Sequence, residues 1–235
     1  MKLSIAEIGN VRYERALLLQ EYLREKRFAG KIEDTLILLE HDSVITLGRR
    51  GKFENILIGR EKLKGKNVEI IEVTRGGDVT YHGPGQLVGY LIFDLKNHGS
   101  SVGKFVWNIE EVFIRLMMDF YHVEARRDSG VYTGVWVGND KITAIGLAVR
   151  RWVTMHGFAF NINTDLDCYR WINPCGITDR GVTSIEKIMG CRQDSDRVST
   201  AVSEKFCEIF GMEGEKKKGG LNEIFPGFSE WTLNR

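Results

Sequence analysis

No apolar run in this chain approaches the ~20 residues that a membrane-spanning helix needs. Neither sign of charge is in excess: 33 Lys and Arg stand against 32 Asp and Glu, a formal net charge of +1. That balance gives no general attraction to nucleic acid or to a membrane surface. Cysteine is sparse and poorly spaced for a metal. The four thiols, at 168, 175, 191 and 207, form no C-x-x-C pair and have no His-x-x-x-His partner, so no structural zinc site is expected. Without a secretory signal they do not read as a disulfide framework either; they read as free thiols. The stretch "MKLSIAEIGNVRYERALLLQ" breaks its apolar residues with Glu7, Arg12, Glu14 and Arg15, unlike a signal peptide, and the expected compartment is the cytoplasm. Repeats, low-complexity tracts and Pro/Ser-rich linkers are absent from the sequence, and 235 residues suit a single domain with one sizeable core.

What is present reads as strands interleaved with helices. Tyr13, Ala16, Leu17 and Leu23, with Gln20 as an interruption, predict an amphipathic helix within 10–28. Residues 35–41, 43–48, 68–73 and 86–95 are rich in β-formers and too short for stable helices. Residues 101–121 predict a long helix capped by Ser100 or Ser101. Three strands follow at 131–138, 141–150 and 153–163, the first two joined by "GND", good hairpin chemistry. Thr183 and Glu186 have the spacing of a capping box, and Val198, Val202, Phe206 and Phe210 predict a helix over 195–210. The charged run at 213–220, "EGEKKKGG", reads as a solvated loop. The order fits an α+β fold, a mixed or antiparallel sheet flanked by helices, mainly on one side.

Three features can carry chemistry. The first is "RGGDVTYHGPGQLVGY" at 75–90, where "GG" and "GPG" mark tight turns around a short strand. It has neither P-loop nor G-x-G-x-x-G spacing, though Arg75 is suited to hold an anion, and His82 sits where core packing would not ask for an imidazole. The second is a floor of small residues. Strand alternation puts Ala144, Gly146, Gly157 and Ala159 on one surface if 141–150 and 153–163 pair, with His156, Phe158 and Phe160 on the other. Such a floor leaves room for an acyl chain; a helix packed onto it is the plainer account, and the one that spacing alone favours. The third is Cys175, in "NPCGI", between Pro174 and Gly176, where its thiol would project from a loop. A working thiolate needs a cation or base nearby, for which Lys141, His82 and His156 are candidates.

These residues resemble a known family, the octanoyl-[acyl carrier protein]:protein N-octanoyltransferases, or lipoyl(octanoyl) transferases. The resemblance rests on "RGGDVTYHGPGQLVGY" and continues through "SVITLGRR", "GVWVGNDKITAIG", "HGFAFNINTDL" and "INPCGI", covering roughly 35–187 in order. It implies the α+β catalytic fold shared with lipoate and biotin protein ligases, with 1–235 as one catalytic domain. It implies that Cys175 is the acyl-thioester nucleophile and that Lys141 lowers its pKa. It assigns substrate binding to Arg75, Gly76, Gly77, Asp78, Val79, Thr80, Tyr81 and His82, to Ala144, Ile145 and Gly146, and to Gly157, Phe158 and Ala159, reversing the plainer account of the floor. Octanoyl-acyl carrier protein would be the donor. Lipoyl domains of 2-oxoacid dehydrogenase complexes and the glycine-cleavage H protein would be the acceptors. Neither cofactor nor ATP, and neither nucleic acid nor membrane, is implied. Arg49, Arg50 and Lys52, and Arg150 with Arg151, are docking points for acidic partners or ordinary solvated charge. Two departures, Leu91 where a proline is common and "HDSVITLG" for a His-Pro-Pro opening, fall in framework segments. Rivals are an ATP-dependent lipoate ligase on the same fold and a non-catalytic acyl-carrier-binding module; a papain-like hydrolase lacks its C-G-[SA]-C-[WY] block.

Overall fold

The segments read as strands join into one long twisted sheet and one small one. The computed structural model describes residues 1–128, 132–173 and 180–233. The chain begins with β1 (Lys2–Asn10), α1 (Tyr13–Phe28), β2 (Asp34–Glu40), β3 (Val44–Leu47) and a 3-10 turn at Phe53–Asn55. It continues through α2 (Arg60–Gly65), β4 (Glu69–Glu72), β5 (Val79–His82), β6 (Gln86–Ile92) and α3 (Val102–Tyr121). Four strands follow: β7 (Arg126–Arg127), β8 (Gly134–Val137), β9 (Asp140–Arg150) and β10 (Val153–Asn161). After a 3-10 segment at Leu166–Trp171 come β11 (Gly181–Val182), α4 (Ile185–Met189), α5 (Ser195–Phe210), β12 (Glu213–Lys218), α6 (Leu221–Ile224) and α7 (Gly227–Leu233).

The large sheet runs β12-β1-β2-β6-β10-β9-β8-β7, with β11 added beside β9; the small one runs β4-β3-β5. It is mixed: β1 is parallel to both β12 and β2, and β2, β6, β10, β9, β8 and β7 pair antiparallel in turn. The α+β fold and the hairpin at "GND" are as expected, with Gly138 and Asn139 forming the turn. Helices, however, cover both faces rather than mainly one. α3 and α5 pack on one through Ile109, Phe113, Val202 and Phe206, and α1, α6 and α7 on the other through Ala16, Leu19, Leu221 and Phe228. Burial of each such large side chain contributes roughly 1.5–3 kcal/mol. Gln20, the interruption in the apolar stripe of α1, is fully buried, and its Oε1 accepts the backbone N–H of His156 at 2.8 Å.

Two local expectations need correction. Residues 213–218 form a strand, because the free edge of β1 offers a parallel ladder from Lys2 to Glu7. Their exposed charges are those of a protected sheet edge. The cap of α4 is Ser184, one residue after the expected Thr183, and its side chain accepts from the Lys187 N–H. The strand β1 itself was not read from the sequence. The long helix α3 is capped as expected by Ser101, which accepts from Lys104 N–H at 3.2 Å. Among the described residues no helix is long and apolar enough to cross a membrane.

Candidate active site

A cleft of about 1310 Å³ opens between the two sheets, and most of the residues singled out from the sequence line it. Its floor is the β9–β10 hairpin. Ala144 lies opposite Ala159 and Gly146 opposite Gly157, so the small residues share one surface as alternation requires. Ala144 and Ala159 belong to the apolar cluster that α1 joins, yet all four small residues still line the cleft. Beside them the chain at Gly76 crosses β9, donating its N–H to Leu147 O at 2.8 Å. A Cβ on Gly146 would stand 2.9 Å from Gly76 O, and one on Gly157 would stand 2.1 Å from Gly89 O. Both glycines therefore answer close backbone approach. Ile145 and Phe158 send their side chains into the core under α3 and α5, which leaves their backbone to line the cleft.

The rim comes from the glycine-rich stretch. Arg75, Gly76, Gly77, Asp78, Val79, Thr80 and His82 all line the cleft. Tyr81 does not. Alternation along β5 turns it into the small-sheet core, where its hydroxyl meets Ser43 Oγ at 2.9 Å and its ring packs edge-on to Tyr169 and Trp171. Arg75 is buried, and its guanidinium donates to Thr46 Oγ1 and Thr46 O at 2.8 Å and to Gly76 O at 3.1 Å. Those donors fasten the rim to β3. Asp78 accepts from Asn55 Nδ2 at 2.6 Å and from the Lys52 N–H at 3.3 Å.

Histidine chemistry deep in the cleft is neutral. Gln86 donates from Nε2 to Tyr81 O and Asn161 Oδ1, which leaves its Oε1 to accept from His82 Nδ1 at 2.8 Å. That network assigns the proton of His82 to Nδ1 and a lone pair to Nε2. Burial, reinforced by His41 and Arg75, lowers the His82 pKa to about 3. Burial also lowers His41 to about 4, and the His41 ring bridges Val11 O and the Tyr90 hydroxyl at 2.6 Å. Tyr13 stacks on His82, and burial raises its pKa to about 12. These groups can orient or accept hydrogen bonds, but near pH 7 they do not carry charge.

His156 departs from the alternation. Its φ of +60° breaks the pleat and brings the imidazole to Thr74, with Nε2 3.3 Å from the Thr74 hydroxyl, away from Phe158 and Phe160. It lines the cleft, and burial, followed by Arg75 and Arg24, lowers its pKa to about 3. Its Nδ1 has no hydrogen-bond partner among the described residues. That costs about 1–3 kcal/mol, the kind of cost that sites bear more often than cores.

Lys141 stands at the opposite end of the floor. Its Nζ donates to Thr133 O at 3.2 Å and lies 4.7 Å from the centroid of the Trp136 ring. Its stem runs past Gly134, whose N–H is held by buried Glu110 at 3.0 Å. Cys175 lies outside the described residues. The chain on either side of it is described: Asn173 and Arg180 both line the cleft. Asn173 N–H donates to Asn55 O at 2.7 Å, and Gly181–Val182 pair in parallel with Asp140–Lys141. Cys168 is buried in the small-sheet core.

Sequence reasoning did not single out Tyr13, His41, Gln86, Tyr90, Asn161 or Tyr169. For Tyr13, Gln86, Tyr90 and Asn161 the signal is a polar group on a strand or helix face that is otherwise apolar, and Gln20 carries the same signal on α1.

Comparison with known proteins gives a consistent result. The lipoyl protein ligase A/B catalytic domain family matches residues 12–207. An octanoyltransferase of Caldicellulosiruptor saccharolyticus is 58% identical over 213 residues, 91% of each chain. Among solved structures, lipoate-protein ligase A bound with ATP superposes with a TM-score of 0.76 at 15% identity, covering 98% of this chain and 95% of that one. Biotin protein ligase from Aquifex aeolicus superposes at 0.52 with 13% identity, covering 89% and 69%. At those identities the two structures speak to the fold alone.

Proposed function

The chain belongs to the lipoyl protein ligase A/B catalytic domain family, as an acyltransferase that moves octanoyl groups in protein lipoylation, and on that premise we propose that it works through a Cys175 thioester. The donor is octanoyl-acyl carrier protein. The acceptors are specific lysines on lipoyl domains of 2-oxoacid dehydrogenase complexes and on the glycine-cleavage H protein, in the cytoplasm. Residues 1–235 act as one catalytic unit.

The octanoyl chain lies along the small-residue floor, under Gly76 and Gly77, with its carbonyl toward Lys141. The Cys175 thiolate attacks that carbonyl, the tetrahedral intermediate collapses, and the carrier's sulfur leaves and takes up a proton. The acceptor amine, having lost a proton, then attacks the new thioester, forms the amide and returns Cys175 as thiolate. Exchange of one thioester for another is nearly isoenergetic and conversion to an amide is downhill, so the cycle balances without ATP. An ordinary thiol pKa of about 8.5 leaves only a few per cent thiolate at neutral pH. The Lys141 ammonium is the cation in this reading that shifts the balance. His82, neutral with an Nε2 lone pair, orients groups by hydrogen bonding, and the second proton, released by the attacking nitrogen as the amide forms, passes to water.

One observation carries the proposal. One cleft is lined by the small-residue floor, by Lys141, and by Asn173 and Arg180 on either side of the segment that holds Cys175. The test is intact-protein mass spectrometry after mixing with octanoyl-acyl carrier protein, without ATP, followed by apo lipoyl domain. An octanoyl adduct on Cys175 that then moves to the acceptor lysine is expected, and Cys175→Ser should abolish transfer. Acceptor modification that requires free octanoate and ATP would overturn the thioester route in favour of a ligase.

A further inference from the structure

Charge is distributed unevenly along this nearly neutral chain. Residues 49–66 hold seven Lys or Arg against two Glu, a net +5, so the rest of the chain together carries −4. The same segment exposes two large apolar side chains, Phe53 at 50% and Leu57 at 62%. Arg49, Arg50 and Lys52, beside them, are all exposed. Apolar anchors beside charge that is predominantly of one sign are what an oppositely charged protein partner recognises.

The segment is fastened to the site at both ends. Arg49 and Arg50 donate their backbone N–H groups to Arg75 O and Gly77 O. Lys52 and Asn55 are bonded to Asp78. Leu57 N–H donates to Trp171 O at 2.8 Å, and Asn55 O receives Asn173 N–H, two residues before Cys175. Arg50 and Leu57 both line the cleft. A body seated on this surface would therefore lie against the rim of the cleft and beside the chain that leads to the proposed nucleophile.

We propose that residues 49–66 are the docking surface for the acyl donor's carrier, an acidic protein that presents its acyl group on a phosphopantetheine arm. Phe53 and Leu57 make the apolar contact, and Arg49 and Lys52 meet the carrier's carboxylates. Arg50, at the mouth, meets the phosphate of the arm as it enters the cleft. That phosphate favours the donor over the acceptor here: an acceptor lysine arrives on its own protein with no phosphate to neutralise. The inference rests on the transfer reaction proposed above.

The test compares two donors with the full chain and two variants, Arg49→Glu/Lys52→Glu and Phe53→Ser. With octanoyl-acyl carrier protein, kcat/KM should fall about tenfold or more, and the charge-reversed variant should lose most of the salt dependence of the wild type. With octanoyl-pantetheine, which has the acyl thioester but neither carrier nor phosphate, kcat/KM should change less than about twofold. The KM for apo lipoyl domain should hold. Equal losses with both donors, a rise confined to the acceptor KM, or no loss with the carrier would each overturn the assignment. Direct titration of holo-carrier protein, followed by calorimetry, reads docking independently of chemistry: weaker binding by both variants supports the surface and unchanged binding overturns it. Acylation of Cys175 by octanoyl-pantetheine reads the chemistry independently of docking, so failure of the transfer reaction is told apart from failure of the surface.

Discussion

A thiol with a pKa of about 8.5 is a few per cent ionised at neutral pH, so the reaction proposed for Cys175 depends on a neighbouring cation. The two cleft imidazoles and His41 next to them do not supply it, since burial keeps His41, His82 and His156 neutral down to about pH 3–4. Lys141 is the cation proposed for that role, and its removal has a specific signature. In wild-type protein the rate of Cys175 alkylation by iodoacetamide should rise with a midpoint near or below pH 7. In Lys141→Ala the midpoint should move up toward about 8.5, and transfer at neutral pH should fall by about 10²-fold or more. An unchanged alkylation midpoint would remove Lys141 from the role. The sequence made Lys141 and Cys175 legible as chemical types, and the roles proposed for them are those that the resemblance implies. It did not reveal that Arg75 is tied to Thr46, because that partner lies 29 positions away on another strand.

At the scale of elements, the β9–β10 hairpin sets the width of the cleft. Ala144 and Ala159 face each other across the ladder, and a larger side chain there would stand where the acyl chain is proposed to lie. Ala144→Leu should lower kcat/KM for octanoyl donors at least about tenfold while sparing butanoyl donors, a shift in chain-length preference read by competition between the two thioesters. Equal effects on both lengths would mean that the floor does not hold the chain. This floor was readable because side chains alternate with period two, and the two-residue turn Arg151–Trp152, with Val153 opposite Arg150, fixes the register. The position of His156 was not readable, since its left-handed backbone reverses the alternation for one residue. Nor was the strand at 213–218, whose side chains are all exposed and whose conformation comes from the edge of β1.

For the molecule as a whole, the neutral histidines tie stability to pH. An unfolded chain protonates each imidazole near 6.5, whereas the folded chain does so only near 3–4. The unfolded state therefore binds more protons between those values, and stability falls as pH drops below about 6.5 and is level above it. Each group contributes about 1.4 kcal/mol per pH unit in that window. The melting temperature should accordingly hold from pH 8 to 7 and drop clearly by pH 5, before most carboxylates titrate. A constant melting temperature down to pH 5 would show that the imidazoles are not held neutral. By itself the sequence determined the alternation of strands and helices, the apolar faces, the small-residue floor and the motifs, because periodicity and turn chemistry act between near neighbours. Only the tertiary structure decided which faces meet. It put helices on both sides of the sheet, buried Gln20 against His156, and drew residues 49–58, 75–78 and 171–173 to one rim. Those outcomes depend on backbone groups far apart in the chain finding hydrogen-bond partners, and local pattern carries no record of them.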